Sequence, residues 1–163
     1  MPAEEDILLH YEDRYDEDAR LSESALGQLE LLRTQQLLRR YLPDPPASVL
    51  DVGGGPGVYA YWLDAAGYEV DLVDIVPRHI RQATERGVRA TLADARELPV
   101  PDNTRDAVLL LGPLYHLPER TDRIKALREA MRETVKRYSL WYLIQGVLLV
   151  VAGVLAIISP IIA

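Results

Sequence analysis

Apolar positions recur along this chain in three different rhythms. In the first, Leu21, Leu26, Leu29, Leu32, Leu37 and Leu38 return at roughly helical spacing, inside a stretch from 1 to 41 that is helical in pattern and polar at its start. In the second, short apolar runs alternate with helical stretches. Residues 48–52, 69–73, 88–92 and 106–111 read as strands, and 58–66, 77–86 and 118–137 as helices. The last of these helices carries Ile124, Leu127, Met131 and Val135 at helical spacing. Breakers fall between the segments: Pro43, Pro45 and Pro46 end the first helical region, and Gly67 and Gly87 stop the next two helices. Pro77 opens its helix, where a missing N–H costs little. In the third rhythm, residues 139–162, only Gln145 and Ser159 interrupt a continuous apolar run after Ser139.

The first strand ends in the most informative local pattern, Asp51-Val52-Gly53-Gly54-Gly55-Pro56-Gly57, directly before the helix that begins at Val58. A strand, a tight turn and a helix start place backbone N–H groups and the positive end of the helix dipole at one spot. Glycine serves such a turn because it accepts positive φ and lets a ligand approach bare backbone. The spacing is D-x-G-x-G-x-G. A dinucleotide fingerprint wants G-x-G-x-x-G, and position 58 is Val. Two more acids end strands on the same expected edge: Asp74 after the second, and Asp94, with Ala95, just beyond the third. Ligands of open α/β sheets sit at that carboxyl edge, where an acid can accept hydrogen bonds from ribose hydroxyls.

The glycine turn and the three strand-end acids together resemble class I S-adenosylmethionine-dependent methyltransferases, over residues 48–132. The resemblance implies a Rossmann-like α/β fold with a partial parallel sheet in the order 3-2-1-4, under an N-terminal helical cap at 1–42. It implies S-adenosylmethionine as cofactor, held by Asp51, Gly53, Gly55, Gly57, Asp74, Asp94 and Ala95. Asp51 would lie under the methionine amino end, Asp74 would hold the ribose, and Asp94 with Ala95 would meet the adenine. Tyr11 or Tyr15 of the cap would touch the cofactor. The stretch Gly112-Pro113-Leu114-Tyr115-His116-Leu117 is similar to a subgroup acting on small molecules, and places Tyr115 and His116 at the acceptor. His116 reads either as a general base or as a loop histidine making one hydrogen bond. Positioning an acceptor in line with a sulfonium methyl can be most of the catalysis, so a dedicated base is not required and the catalytic residue stays unassigned. Arg105 departs from the family's usual Phe, and the expected consequence is weaker packing under the fourth strand.

Charge and composition sharpen the division of the chain. The net charge of −7 belongs wholly to the part up to Arg137, because no charged residue follows it. An acidic surface argues against a nucleic-acid backbone as partner. There is no cysteine, and His10, His79 and His116 are too scattered to suggest a metal site. No secretory signal pattern follows Met1.

After residue 132 the family's fifth strand and closing hairpin are not readable. Residues 139–162 number 24, which as a helix makes about 36 Å, enough for a hydrocarbon core of about 30 Å. Tyr138, Trp141 and Tyr142 would form an interfacial belt beside Arg132, Lys136 and Arg137, which puts the N-terminal part on the cytoplasmic side. The tail resembles the first span of HdeD-type small membrane proteins. The expected organisation is therefore a cap at 1–42, a truncated methyltransferase-like domain at 43–134 and a transmembrane helix at 135–163. A join near Thr134 fits a natural fusion, a frameshifted or misassembled frame, and a generated sequence alike.

The function expected is methyl transfer to a small-molecule acceptor by a single-pass protein of the cell membrane, anchored through residues 138–162. Two alternatives stay open: a non-catalytic membrane-anchored cofactor-binding or interaction module, and a fusion product without selected function. Self-association is expected at either the Gly146–Gly153 face of the tail or the open edge of the fourth strand.

Overall fold

The structure is a computed structural model and describes residues 20–21, 23–101 and 104–132. Tyr11, Tyr15, the join near Thr134 and the apolar tail lie outside the described residues. Among the described residues no helix is long and apolar enough to cross a membrane.

The chain enters through α1 (Ala25–Tyr41), whose N-cap Ser24 accepts a hydrogen bond from the Gly27 N–H at 2.9 Å. Arg39 and Arg40 occupy its last turn, where cations complement the helix dipole, and the Arg39 guanidinium lies 5.2 Å from the centre of the Trp62 ring. Four parallel strands follow: β1 (Ser48–Val52), β2 (Glu69–Asp74), β3 (Arg89–Leu92) and β4 (Ala107–Leu109). Their order is β3-β2-β1-β4, as the resemblance implies. The crossovers run through α2 (Val58–Ala65) and α3 (Pro77–Glu85). A short α4 (Pro113–His116) and a helix whose described part is 120–132 complete the order.

Alternation along the strands builds two apolar layers. Val49, Val70, Leu72 and Leu109 face Leu38, Ala60, Leu63 and Ala83 from the three preceding helices. Leu50, Val52 and Val73 face the other way, against Leu98, with Val100, Val108 and Leu110 packed on them. Both faces of β1 are therefore buried, which is why it reads as a nearly unbroken apolar run.

Two expectations change. The fourth strand is three residues long rather than 106–111. Asp106 serves instead as an anchor, its carboxylate accepting from both the N–H and the hydroxyl of Ser48 at 2.9 and 2.8 Å. At the other end, Gly112 and Pro113 turn the chain into α4, so Leu110 stays in the core while Leu111 leaves the ladder, half exposed. Arg105, expected to weaken the packing, pairs with Asp71 of β2, which also binds the Arg89 Nε at 2.8 Å. A charged cross-strand contact takes the place of an apolar one.

Candidate functional site

The carboxyl ends of the strands open into a cavity of about 570 Å³. Its base is the turn after β1, its sides are the ends of β2 and the loop after β3, and Gly112, Pro113, Tyr115 and His116 close the β4 side. Arg20, Leu21, Glu30 and Thr34 line it from the N-terminal helical region. Arg20 grips Glu30 with both terminal nitrogens, at 2.6 and 3.0 Å.

The turn itself is fixed by the ladder. The Gly53 N–H donates to the Val73 carbonyl at 2.7 Å, extending the β1–β2 pairing one residue past the strand. Two positions are crowded: a Cβ on Gly53 would run into the Pro113 ring, and one on Gly54 would lie 2.6 Å from Asp51 Oδ2 and 2.6 Å from Leu72 Cδ1. The Gly55 N–H turns toward β2 and donates to Asp74 Oδ2 at 2.9 Å. Gly57 differs from the others. It caps α2 at φ 82° and packs toward Ala83, and it does not line the cavity. Its place is in the joint between helices.

Asp51 is 2% exposed, lines the cavity, and among the described residues its Oδ2 has no hydrogen-bond partner. Burial, reinforced by the charge of Asp74, pushes its carboxyl up to about 7. Asp74 is also buried but well supplied. Its Oδ1 accepts from the Val76 N–H at 2.9 Å and faces His79 Nδ1 at 3.2 Å, while Oδ2 takes the Gly55 N–H. Asp94 is held by Arg96. The Arg96 backbone N–H and Nε both reach Oδ1, at 2.8 and 3.0 Å, and the guanidinium bonds Oδ2 as well. Burial alone would raise Asp94, but the Arg96 hydrogen bonds and charge prevail and hold its carboxyl below the ordinary value. The same guanidinium reaches Asp122 Oδ2 at 2.9 Å, tying the loop after β3 to the helix at 120–132.

Ala95 lines the cavity beside Asp94. Tyr115 is 71% exposed, and its ring lies 4.3 Å from that of His116 at a 48° tilt. The cavity thus gathers Asp51, Gly53, Gly55, Asp74, Asp94, Ala95, Tyr115 and His116, and leaves Gly57 outside. Three participants escaped the sequence reading: Gly54, His79 and Arg96. His79 had a readable signal, since it stands in the first turn of the helix that follows Asp74. Arg96, two residues beyond Asp94, is a spacing that a side chain can close locally.

The donor set fits a ligand carrying both a cation and a polyhydroxylated sugar. An unpartnered buried carboxyl oxygen suits an ammonium group, and a preorganised carboxylate suits hydroxyl donors. The comparisons agree with that chemistry. The chain belongs to the Methyltransferase domain family, whose profile matches residues 49–136. It is similar to the 27-O-demethylrifamycin SV methyltransferase of Amycolatopsis mediterranei, 31% identical over 93 residues that cover 52% of this chain and 34% of that protein. The ubiquinone/menaquinone biosynthesis C-methyltransferase UbiE of Rickettsia bellii is 31% identical over 107 residues, covering 57% of this chain and 42% of the relative. Among solved structures, the PH0226 protein from Pyrococcus horikoshii OT3 matches with a TM-score of 0.64 and 26% identity, over 74% of this chain and 61% of that one. The chain spans less than half the length of these two curated relatives.

Proposed function

We propose that this chain binds S-adenosylmethionine and transfers its methyl group to a small-molecule acceptor. The observation that carries the reading is the buried, unpartnered Oδ2 of Asp51 at the foot of a glycine turn, with Asp74 presented beside it. When bound, the cofactor supplies a methyl group on a sulfonium, which an acceptor's lone pair displaces to leave S-adenosylhomocysteine. Asp51 would accept from the amino-acid ammonium group, Asp74 from the ribose, and Asp94 with Ala95 would border the adenine. Because Arg96 already engages both oxygens of Asp94, that carboxylate would meet the base alongside the guanidinium rather than alone. Tyr115 and His116 would orient the acceptor. One relative is named a 27-O-demethylrifamycin SV methyltransferase and the other a ubiquinone/menaquinone biosynthesis C-methyltransferase, which supports a small-molecule acceptor.

The deciding experiment is calorimetric titration of the detergent-solubilised full chain with S-adenosylmethionine, with Asp74→Ala alongside. Micromolar binding that the substitution abolishes supports the reading; no binding by a folded, monodisperse sample overturns it. Binding without transfer to any acceptor would favour a non-catalytic cofactor-binding module.

Residues 138–162 are proposed to anchor the protein in the cell membrane as a single span similar to the first span of HdeD-type proteins, with the cavity on the cytoplasmic side. The long uncharged, mostly apolar run and the adjoining Arg132, Lys136 and Arg137 support this. Recovery of the full chain in the alkali-washed membrane fraction supports it, and recovery in the supernatant overturns it. Self-association would run through the Gly146–Gly153 face or the outer edge of β4.

A further inference from the structure

His79 is a buried imidazole with no part in the family reading of the site. It sits in the first turn of α3, lines the cavity, and has only 6% of its side chain exposed. Its Nδ1 lies 3.2 Å from Asp74 Oδ1. An ionised carboxylate can only accept, so Nδ1 carries the proton and donates. Asp74 then receives three donors: the Val76 N–H and the His79 Nδ1–H on Oδ1, and the Gly55 N–H on Oδ2. A carboxylate offers about four acceptor positions. Oδ1 is filled, and among the described residues one position remains, on Oδ2.

We propose that His79 is a positioning residue that fixes the rotation of the Asp74 carboxylate, so that Oδ2 presents its remaining acceptor position to one ribose hydroxyl of the cofactor. The two backbone donors each hold one oxygen, from two different strand-end loops. The imidazole adds a second donor to Oδ1 from a helix packed on the sheet. Its burial keeps water from taking that place. Functionally, the chain thereby distinguishes a ribonucleoside from its deoxy counterpart, through a residue that never touches the sugar.

The proposal rests on cofactor binding as read above, and the test separates the two. S-adenosylhomocysteine and its 2′-deoxy and 3′-deoxy analogues are titrated into the solubilised full chain and into His79→Leu and His79→Asn. Leucine keeps apolar bulk without a donor, and the asparagine amide can return an N–H close to the Nδ1 position. The wild-type chain is expected to lose about tenfold in affinity on removal of one of the two hydroxyls, the value of one hydrogen bond to a charged group. His79→Leu is expected to bind the intact ligand about tenfold more weakly and to lose that discrimination. His79→Asn is expected to restore most of both. Equal weakening of all three ligands by His79→Leu, with discrimination intact, would assign His79 to packing and overturn the proposal. If His79→Leu does not fold, His79→Asn decides alone, since wild-type discrimination must survive in it. Failure of the wild-type chain to bind any of the ligands would overturn the cofactor reading itself.

Discussion

Asp51 and Asp74 end neighbouring parallel strands as two buried carboxyl groups, and the charge of Asp74 adds to burial in raising the Asp51 carboxyl to about 7. The two acids are supplied unequally. Asp74 collects the donors of two loops and a helix, while Asp51 keeps one oxygen without a partner among the described residues. The site is therefore built around an acid that is costly to ionise.

The first consequence is a pH-dependent stability with an unusual sign for an aspartate. Between the ordinary value of 3.8 and about 7 the folded chain holds a proton on Asp51 that the unfolded chain has released. Stability contributed by the neutral form is fully present below the lower value and is lost as pH rises through the upper one, at up to about 1.4 kcal/mol per pH unit. Denaturant titrations from pH 5 to 8 should show the wild-type chain weakening as pH rises. Asp51→Asn should flatten that slope, and an unchanged slope in the variant would refute the assignment.

The second consequence follows if the cofactor's ammonium group meets Asp51. An adjacent cation favours the carboxylate, so binding below about pH 7 should expel the Asp51 proton. Calorimetry in buffers of different ionisation enthalpy should register close to one proton released per ligand at pH 6, and almost none at pH 8.5. Equal release at both pH values would exclude Asp51 as the source.

Much of this was legible in the sequence. The strand-end acids and the D-x-G-x-G-x-G turn announce themselves because each lies at a forced transition from strand to loop, and the sheet order is implied by the family resemblance that they carry. What stayed hidden is contact across the fold. The Arg105–Asp71 pair joins residues 34 positions apart in sequence, and the Arg96–Asp122 pair joins residues 26 apart. No local periodicity encodes either. The extent of β4 was misread for a related reason: the apolar run through Leu111 has the period of a strand, but Gly112 and Pro113 set where the ladder ends.

Gly54 and Gly87 allow two causes of glycine dependence to be told apart. A methyl group on Gly54 meets Asp51 Oδ2 and Leu72 Cδ1 at 2.6 Å, whereas on Gly87, at φ 85°, it meets nothing within 4 Å. Gly87→Ala should cost only the left-handed backbone penalty of about 1 kcal/mol. Gly54→Ala should cost about 1–3 kcal/mol by overpacking and should also weaken cofactor binding by displacing Asp51. Thermal melts and ligand titrations of the two variants test this; comparable binding by both would show that the turn tolerates the added bulk.

The substitution of Arg for an apolar residue at 105 can be judged by removing either partner. Arg105 keeps about a fifth of its side chain exposed, and among the described residues its Nε is buried without a hydrogen-bond partner. Removing the carboxylate in Asp71→Asn strands that guanidinium and also releases Arg89, so it should be clearly destabilising. Replacing the cation in Arg105→Met removes the buried charge along with its partner's bond and should lie within about 1 kcal/mol of wild type. A larger loss in Arg105→Met than in Asp71→Asn would mean that the ion pair itself, rather than the cost of leaving a charge alone, dominates this edge of the sheet.

Asp94 should titrate in the opposite sense to Asp51, which gives the Arg96 clamp its own signature. Its carboxyl is held below 3.8, so the stability it contributes is present above that value and is lost as pH falls through the folded value. Asp94 limits stability on the acid side and Asp51 on the neutral side, and their opposing slopes meet near the ordinary value of 3.8. Arg96→Gln removes the fork from Asp94 and the bridge to Asp122 at once. With both carboxylates partly solvated, the loss at pH 7 should be modest, about 1 kcal/mol. The acid limb should become shallower in this variant while the limb between pH 5 and 8 stays as in wild type. Proteolysis should also cut sooner near the start of the helix at 120–132, since Arg96–Asp122 and the Leu98 N–H to Glu129 contact at 3.2 Å tie that helix to the loop after β3. If Arg96→Gln instead alters the limb between pH 5 and 8, the two acids are coupled across the cavity, and the site titrates as one unit.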